Sequence, residues 1–455
     1  MTTDDLGASD PLEGQPDKSS QDIVAVFVDI EDSTGIANHY GSAEYRDFLS
    51  VFHRCVHDVV AGDDWAPIRA PGYHNFFGDE FMAFLPASDY GSAVSQALDL
   101  ACALKMSWYV SSVNRERLDS DKEIIELNVG INLGRVHRMP YPLSVDDTHR
   151  PFTLEGFPIT IAKRAQSACE DGRASRIVLA DRAYREYVKR SQRNHDFSYM
   201  GRRQLKGLTQ TLSVYEWLGD EFEEPPDDLR DDLQNVLQSL YQKNPLNPWY
   251  ALLLARSYYH RAEADWYAGQ YDNPWYATTA SLCLTALQTI NWSKLRTITA
   301  VLLTCLEVQR QWLELGFRAE QAFVNDPTFA YALGLRAKAL LGLYIDEERE
   351  GKHFLDEAQR EARRAITLFE RHDEDINHEA LFLAHMINAG ALAVEDRETR
   401  ALDAFANAVR HAESGDIKWA AEEVASIQPA MFSKLTKSES WKDMLARLEH
   451  VRVSE

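Results

Sequence analysis

Two acids and two bases in the first half of the chain have the types and settings for phosphate chemistry. Asp29 closes an apolar, β-rich run (residues 23–30, IVAVFVDI) and is followed by Glu31, Asp32, Ser33 and Thr34, which open a predicted helix. Asp79 follows Gly78 between two strand-like stretches in YHNFFGDEFMAFLP, where the pair reads as a hairpin turn. Either acid alone is an ordinary turn or cap residue. Two such acids at strand ends in one domain suit a hard divalent cation, because Mg²⁺ is commonly held by one or two carboxylates plus phosphate oxygens. A helix start beside Asp29 would add amide N–H groups for an anion. Arg164 lies on a predicted helix entered at Gly156, where Ile161, Ala165 and Ala168 are spaced to pack inward. It reads as a solvated charge or as a guanidinium aimed at a phosphoryl group. Lys206, beside Gly207, could reach a triphosphate.

The elements that must position these groups alternate along residues 22–217. Strand-like runs at 23–30, 81–85, 127–132, 176–179 and 212–217 are interleaved with helical stretches at 43–60 and 91–115. The segment LNVGINLGRV, residues 127–136, reads as a strand, a glycine turn and a second strand. If 68–77 is a strand, Arg69, Tyr73, Asn75 and Phe77 share a face. Residues 1–21 are polar, with no apolar run, and are expected to be a disordered arm without a signal peptide.

Residues 218–235 form an acidic stretch around Pro225-Pro226 and read as a linker. From there to the end, residues 236–455, strand signals vanish and apolar residues fall at helical spacing. FAYALGLRAKALLGL from Phe329 and ALFLAHMINAGALAV from Ala380 look alike. Each precedes a charged stretch and a second Ala-rich helix. The pattern is expected to form either a tetratricopeptide-like array of helical hairpins or an irregular helical bundle, serving as a regulatory or interaction surface.

Composition bounds the partners. The 455 residues carry 48 basic and 71 acidic side chains, a net charge of −23, with 45% hydrophobic residues. That is ample apolar material for cores, and its acidity argues against nucleic acid polymers or an anionic membrane. No stretch reaches the roughly 18 apolar residues of a membrane span; 297–306 is largely apolar but too short. The five cysteines are scattered, odd in number and without paired spacing, as expected of reduced thiols in a cytoplasmic protein.

In order and context the motifs resemble the catalytic domain of the class III nucleotidyl cyclases. The residues that carry the resemblance are Phe27-Val28-Asp29-Ile30 with Ser33-Thr34, Gly78 to Phe84, Val129 to Gly134, Gly156 to Arg164 and Leu205-Lys206-Gly207-Leu208. The resemblance implies an α+β, ferredoxin-like domain acting as a homodimer with composite sites. Asp29, Asp79 and the Ile30 carbonyl would hold two divalent cations, Mg²⁺ or Mn²⁺. The ribose 3′-hydroxyl of a nucleoside triphosphate would attack the α-phosphate. Arg164 of the other subunit would stabilise the developing charge, and Lys206 would bind the outer phosphates. Phe27, Tyr73, Asn75, Thr153 and Thr160 would line the nucleotide.

The chain departs from the family's pattern at the residues that select the base. Thr160 stands where an asparagine is usual. Asn75 stands where adenylyl cyclases carry lysine and guanylyl cyclases glutamate, and Thr153 replaces the adenylyl aspartate. Neutral side chains at these positions set no rule for adenine or guanine, and a bulky Tyr73 or Arg69 would narrow the pocket toward a pyrimidine. In this the chain looks like the pyrimidine cyclases of bacterial Pycsar antiphage systems, which make cyclic UMP or cyclic CMP to activate a separate effector. An adenylate cyclase with relaxed base selection, or a non-catalytic dimerisation and signalling module, are the alternatives.

Overall fold

A computed structural model describes residues 20–39, 41–140, 152–172, 174–191, 196–204, 211–219, 227–268, 270, 273–289, 296–346, 351–371 and 377–453. The chain divides into two compact units, Met1–Tyr250 and Ala251–Glu455.

The first unit opens with β1 (Ser20–Ile30), α1 (Ser33–His39), α2 (Ser42–Val60), α3 (Ala66–Arg69), β2 (His74–Phe77) and β3 (Glu80–Pro86). It continues through α4 (Tyr90–Tyr109), α5 (Ser112–Asp119), β4 (Leu127–Pro140), β5 (Phe152–Glu155), α6 (Phe157–Ser167), β6 (Ile177–Ala180), α7 (Asp181–Ser191), β7 (Phe197–Gln204) and β8 (Thr211–Trp217). The strands form one mixed sheet in the order β2-β3-β1-β4-β6-β8-β7, with β5 paired to β4. All pairings are antiparallel except β4 with β6. Strand β1 is an interior strand, between β3 and β4. Ile23 to Val28 are all buried, so both of its faces are covered and the run carries no polar alternation.

Three expectations change. Residues 68–77 are not one strand: Pro67 starts α3, and Pro71-Gly72 breaks the chain, with Gly72 at φ +87°. Arg69 therefore sits at the end of α3, donating to the Ala61 carbonyl at 2.6 Å, and shares no face with Asn75. Residues 127–136 hold no turn; β4 runs unbroken through Gly130 and Gly134. The predicted helix 91–115 divides at Val110-Ser111, where the Ser111 hydroxyl caps the Asn114 N–H. Within the stretch read as an acidic linker, α8 (Asp227–Lys243) is helical, and it is tied to the first unit by Asp232 with Arg115 and Lys243 with Asp121.

The first unit holds a buried ion pair. Lys105 of α4 is fully buried and meets Glu126 at 2.6 Å; it also donates to the Leu127 carbonyl at 2.9 Å. The hydroxyls of Tyr109 and Tyr250 donate to Glu126 at 2.9 and 2.5 Å. Burial opposes ionisation of Glu126, but the Lys105 ammonium and these donors outweigh it and hold its pKa below the ordinary glutamate value.

The second unit is helical throughout its described residues. It contains the rest of α9 (Pro248–Tyr267), then α10 (Trp275–Thr289), α11 (Arg296–Val308), α12 (Trp312–Asn325), α13 (Ala330–Asp346), α14 (Lys352–Arg371), α15 (His378–Val394), α16 (Glu398–Ser414), α17 (Ala420–Met431) and α18 (Glu439–Val453). The two look-alike segments are α13 and α15, each packed on the helix that follows it. Both are buried on nearly every side, which is why their sequences show small and apolar residues with little stripe. No helix among the described residues is long and apolar enough to cross a membrane.

Replacing Glu126 by Ala leaves a buried ammonium without its carboxylate, so a loss of about 3–5 kcal/mol is expected in urea unfolding. Lys105→Met combined with Glu126→Leu should recover most of it. Because the native pKa of Glu126 is depressed, its contribution is complete above the usual glutamate range and is lost as pH falls through the native value. Wild type should lose stability on acidification by more than the double variant, followed by unfolding at a series of pH values.

Candidate active site

The hairpin between β2 and β3 is a two-residue turn, Gly78-Asp79, closed by the Phe77–Glu80 pair. Gly78 supplies the positive φ of +67° that such turns require. The next ladder places Glu80 opposite Asp29 of β1. Asp29 and Asp79 thus come together at one end of the sheet. Burial pushes the Asp29 carboxyl up to about 6; Lys163 opposes that shift, while the neighbouring Asp79 adds to it through its charge and a hydrogen bond. Tyr45 of α2 faces the same pair: burial, then the charges of Asp79 and Asp29, raise its pKa.

Helix α6 lies against these acids because β4 is bare beneath it. A Cβ on Gly130 would lie 2.2 Å from the Ala162 carbonyl oxygen and the Gln166 nitrogen. One on Gly134 would lie 2.3 Å from the Pro158 ring. Between them, Asn132 donates to the Pro158 carbonyl at 3.1 Å. The seated helix delivers Gln166, whose amide donates to Asp29 at 3.2 Å, and Lys163. The Lys163 ammonium pairs with Glu80 and lies 3.9 Å from Asp29. Neither residue was singled out from the sequence, although both lie within two positions of Arg164. Their meaning depends on how closely helix and strand approach, which spacing alone does not reveal.

Arg164 makes no ion pair with Asp29 or Asp79 among the described residues of its own chain. Its buried Nε has no hydrogen-bond partner. Thr160, one turn earlier on α6, is exposed. The Ile30 carbonyl lies on the last residue of β1, paired with Leu127. Lys206 lies outside the described residues.

The nucleotide-lining candidates divide by sheet face. Phe27, Met82 and Asn75 stand side by side in register across β1, β3 and β2. Asn75 is exposed, and its side chain accepts from the Phe76 N–H at 2.9 Å. Tyr73 precedes β2 and packs in the cluster of Ile23, Ala25, Phe27, Phe84 and Leu154. Its hydroxyl donates to Gln21 at 3.0 Å and accepts from Arg138, whose guanidinium lies 4.5 Å from the Phe152 ring centre. Thr153 pairs with Met139, one residue out of phase with the Arg138–Leu154 pair. It therefore points to the face opposite Leu154.

The residues present fit a divalent cation. Asp29 and Asp79 offer hard carboxylate oxygens, and their mutual repulsion would be relieved by a cation between them. The described residues contain no cluster of three or more metal-ligating side chains, so remaining ligands would have to be backbone, water or phosphate oxygens.

No protein-family model matches the chain, and no curated protein matches it. Similar solved structures include the adenylyl cyclase CyaB from P. aeruginosa, at 17% identity over 44% of this chain and 96% of that one, with a TM-score of 0.35. The guanylyl cyclase Cya2 matches at 15% identity over 46% and 96%, with a TM-score of 0.35. The guanylate cyclase domain of RhGC from Catenaria anguillulae, in complex with GTP, matches at 17% over 43% and 94%, with a TM-score of 0.31.

Two outcomes are expected from this geometry. Lys163→Met removes a charge 3.9 Å from Asp29. Mn²⁺ binding by nucleotide-free protein, followed by the paramagnetic resonance of free Mn²⁺, should tighten by about tenfold, since unit charges near 4 Å interact by about 1 kcal/mol in bulk water and more in a partly buried site. Unchanged affinity would show that the lysine does not compete with the metal. Gly130→Ala drives a methyl into the backbone of α6, and thermal unfolding should register a loss of about 1–3 kcal/mol.

Proposed function

We propose that residues 22–217 form a ferredoxin-like class III nucleotide cyclase domain. In this reading a cytoplasmic homodimer converts a pyrimidine nucleoside triphosphate, UTP or CTP, to a 3′,5′-cyclic monophosphate and pyrophosphate. The product would activate a separate effector in bacterial antiphage defence, and the helical region, read as a tetratricopeptide-like array, would regulate the output. The observation that carries the reading is the meeting of Asp29 and Asp79 at the end of the β1–β3 ladder, in motifs that match the family's own.

Held by Asp29, Asp79 and the Ile30 carbonyl, two divalent ions would supply positive charge and orientation to the phosphates. The chain's own groups would do the rest. Arg164, whose Nε is buried without a partner in its own subunit, would stabilise charge on the phosphoryl group of the neighbouring subunit's substrate. Thr160, exposed one turn away, would bond the ribose, and Lys206 would hold the outer phosphates. Phe27 and Asn75, either side of Met82 on one sheet face, would receive the base, with Tyr73 fixed behind them by Gln21 and Arg138; Thr153, on the other face of its strand, would need a local rearrangement to reach it. Catalysis of this kind is positioning and electrostatics, with little covalent work for the protein.

A second reading, a non-catalytic dimerisation module, draws on Lys163. An ammonium that already neutralises Asp29 and Glu80 is a built-in substitute for one cation.

The discriminating experiment offers ATP, GTP, CTP and UTP to the purified full chain with Mg²⁺ or Mn²⁺ and identifies products by mass spectrometry. Cyclic UMP or cyclic CMP is expected, abolished by Asp29→Ala or Asp79→Ala. Cyclic AMP alone would support an adenylate cyclase with altered base selection. No cyclic product under any condition would favour the second reading. Mixing Asp29→Ala with Arg164→Ala subunits should partly restore turnover, because one of the two shared sites becomes intact.

A further inference from the structure

Within the second unit, α9, α11, α13, α15 and α17, together with Tyr276 of α10 and Trp312 of α12, line a cavity of about 550 Å³. This lies in the range of small-molecule sites. Six carboxylates border it, from Glu263, Glu307, Asp346, Glu379, Glu422 and Glu423, against two basic side chains, Arg310 and Lys338. Tyr259, Trp266, Trp312 and Trp419 supply aromatic surface. The Trp312 ring lies flat on Gly342, where a Cβ would come within 2.4 Å of it.

The acids divide into satisfied and unsatisfied groups. Lys338 is deeply enclosed and pairs with Glu307 and with Glu423 at 3.0 Å. Glu422 pairs with Arg452 at 3.1 Å. Glu263 and Glu379 reach no lysine or arginine among the described residues. Glu263 has only Tyr259 and, at 3.6 Å, His260, while Glu379 has the Trp419 indole. They are electrostatic neighbours: burial, then the charges of Glu263 and Glu307, raise the Glu379 pKa. Lys338 shows that this interior already stabilises one ammonium between two glutamates. A second cation entering beside Glu263 and Glu379 would find the same chemistry, with ring faces for its apolar body.

We propose that this cavity binds a small organic cation, an amine or guanidinium on an aliphatic chain, with its charge between Glu263 and Glu379 and its methylenes against the aromatic rings.

The test is calorimetric titration of the full chain with spermidine and with agmatine, in buffer of about 0.15 M ionic strength to screen the general acidity. Saturable, one-to-one binding of at least one is expected; which one binds separates ammonium from guanidinium recognition. Glu263→Gln with Glu379→Gln should weaken it by about tenfold or more, while Glu439→Gln, a surface acid elsewhere on the unit, leaves it unchanged. Circular dichroism confirms that each variant is folded, which is expected because Glu263 and Glu379 line a cavity rather than a packed core and Glu439 is exposed. The proposal is overturned if neither cation binds saturably at millimolar concentration, if the double variant binds as wild type, or if Glu439→Gln weakens binding as much. None of these outcomes depends on what the first unit catalyses.

Discussion

The candidate active site depends on how closely one helix lies on one strand. Gly130 and Gly134 remove the side chains that would otherwise hold α6 off β4, and Asn132 between them anchors the helix by its Pro158 carbonyl. The consequence is electrostatic. Asp29 has Asp79 beside it and Glu80 opposite it across the β1–β3 ladder, so negative charge accumulates near the end of β1. With α6 seated, Lys163 and Gln166 meet Asp29, and the three acids are partly compensated. A cationic side chain and a metal ion are two answers to the same excess of negative charge. The same helix carries Arg164 and Thr160, so its seating also fixes where those two side chains stand.

How far the sequence revealed this follows from which features are local. Asp29 and Asp79 were legible because a strand end and a two-residue turn have short-range signatures, an unbroken apolar run and a Gly-Asp pair between strands. The ladder that joins them then follows from pairing β1 with β3. The stretch 68–77 was misread because alternation was counted across Pro71-Gly72, where backbone conformation overrides side-chain pattern. The glycines of VGINLG suggested a turn; in the fold they are strand residues that make room for a helix, a tertiary demand with no local mark. Lys163 went unnoticed for a related reason. On a helical wheel it is one more charged residue, and only the closeness of α6 to β1 turns it into a partner of Asp29.

The second unit shows the opposite balance. Helix content and the likeness of the segments that became α13 and α15 were plain from composition and period. The cavity was not, because its lining comes from many helices widely separated in sequence. Carboxylates that look like a solvated face in the sequence divide, in the fold, into those held by Lys338 or Arg452 and those that reach no lysine or arginine among the described residues.

The chain's acidity looks different once charge is placed. A net charge of −23 is a property of the whole surface, and at physiological salt its influence fades over roughly 8 Å. Inside a site, fields are set by groups a few ångströms apart and poorly screened. In the first unit, Lys163 and Gln166 meet Asp29 and Glu80, so that end of the sheet is less negative than the net charge suggests. In the second, a residual excess of carboxylates within aromatic walls suits a cation. Within one acidic protein, local charge balance is therefore decided by three or four residues at each place rather than by the total.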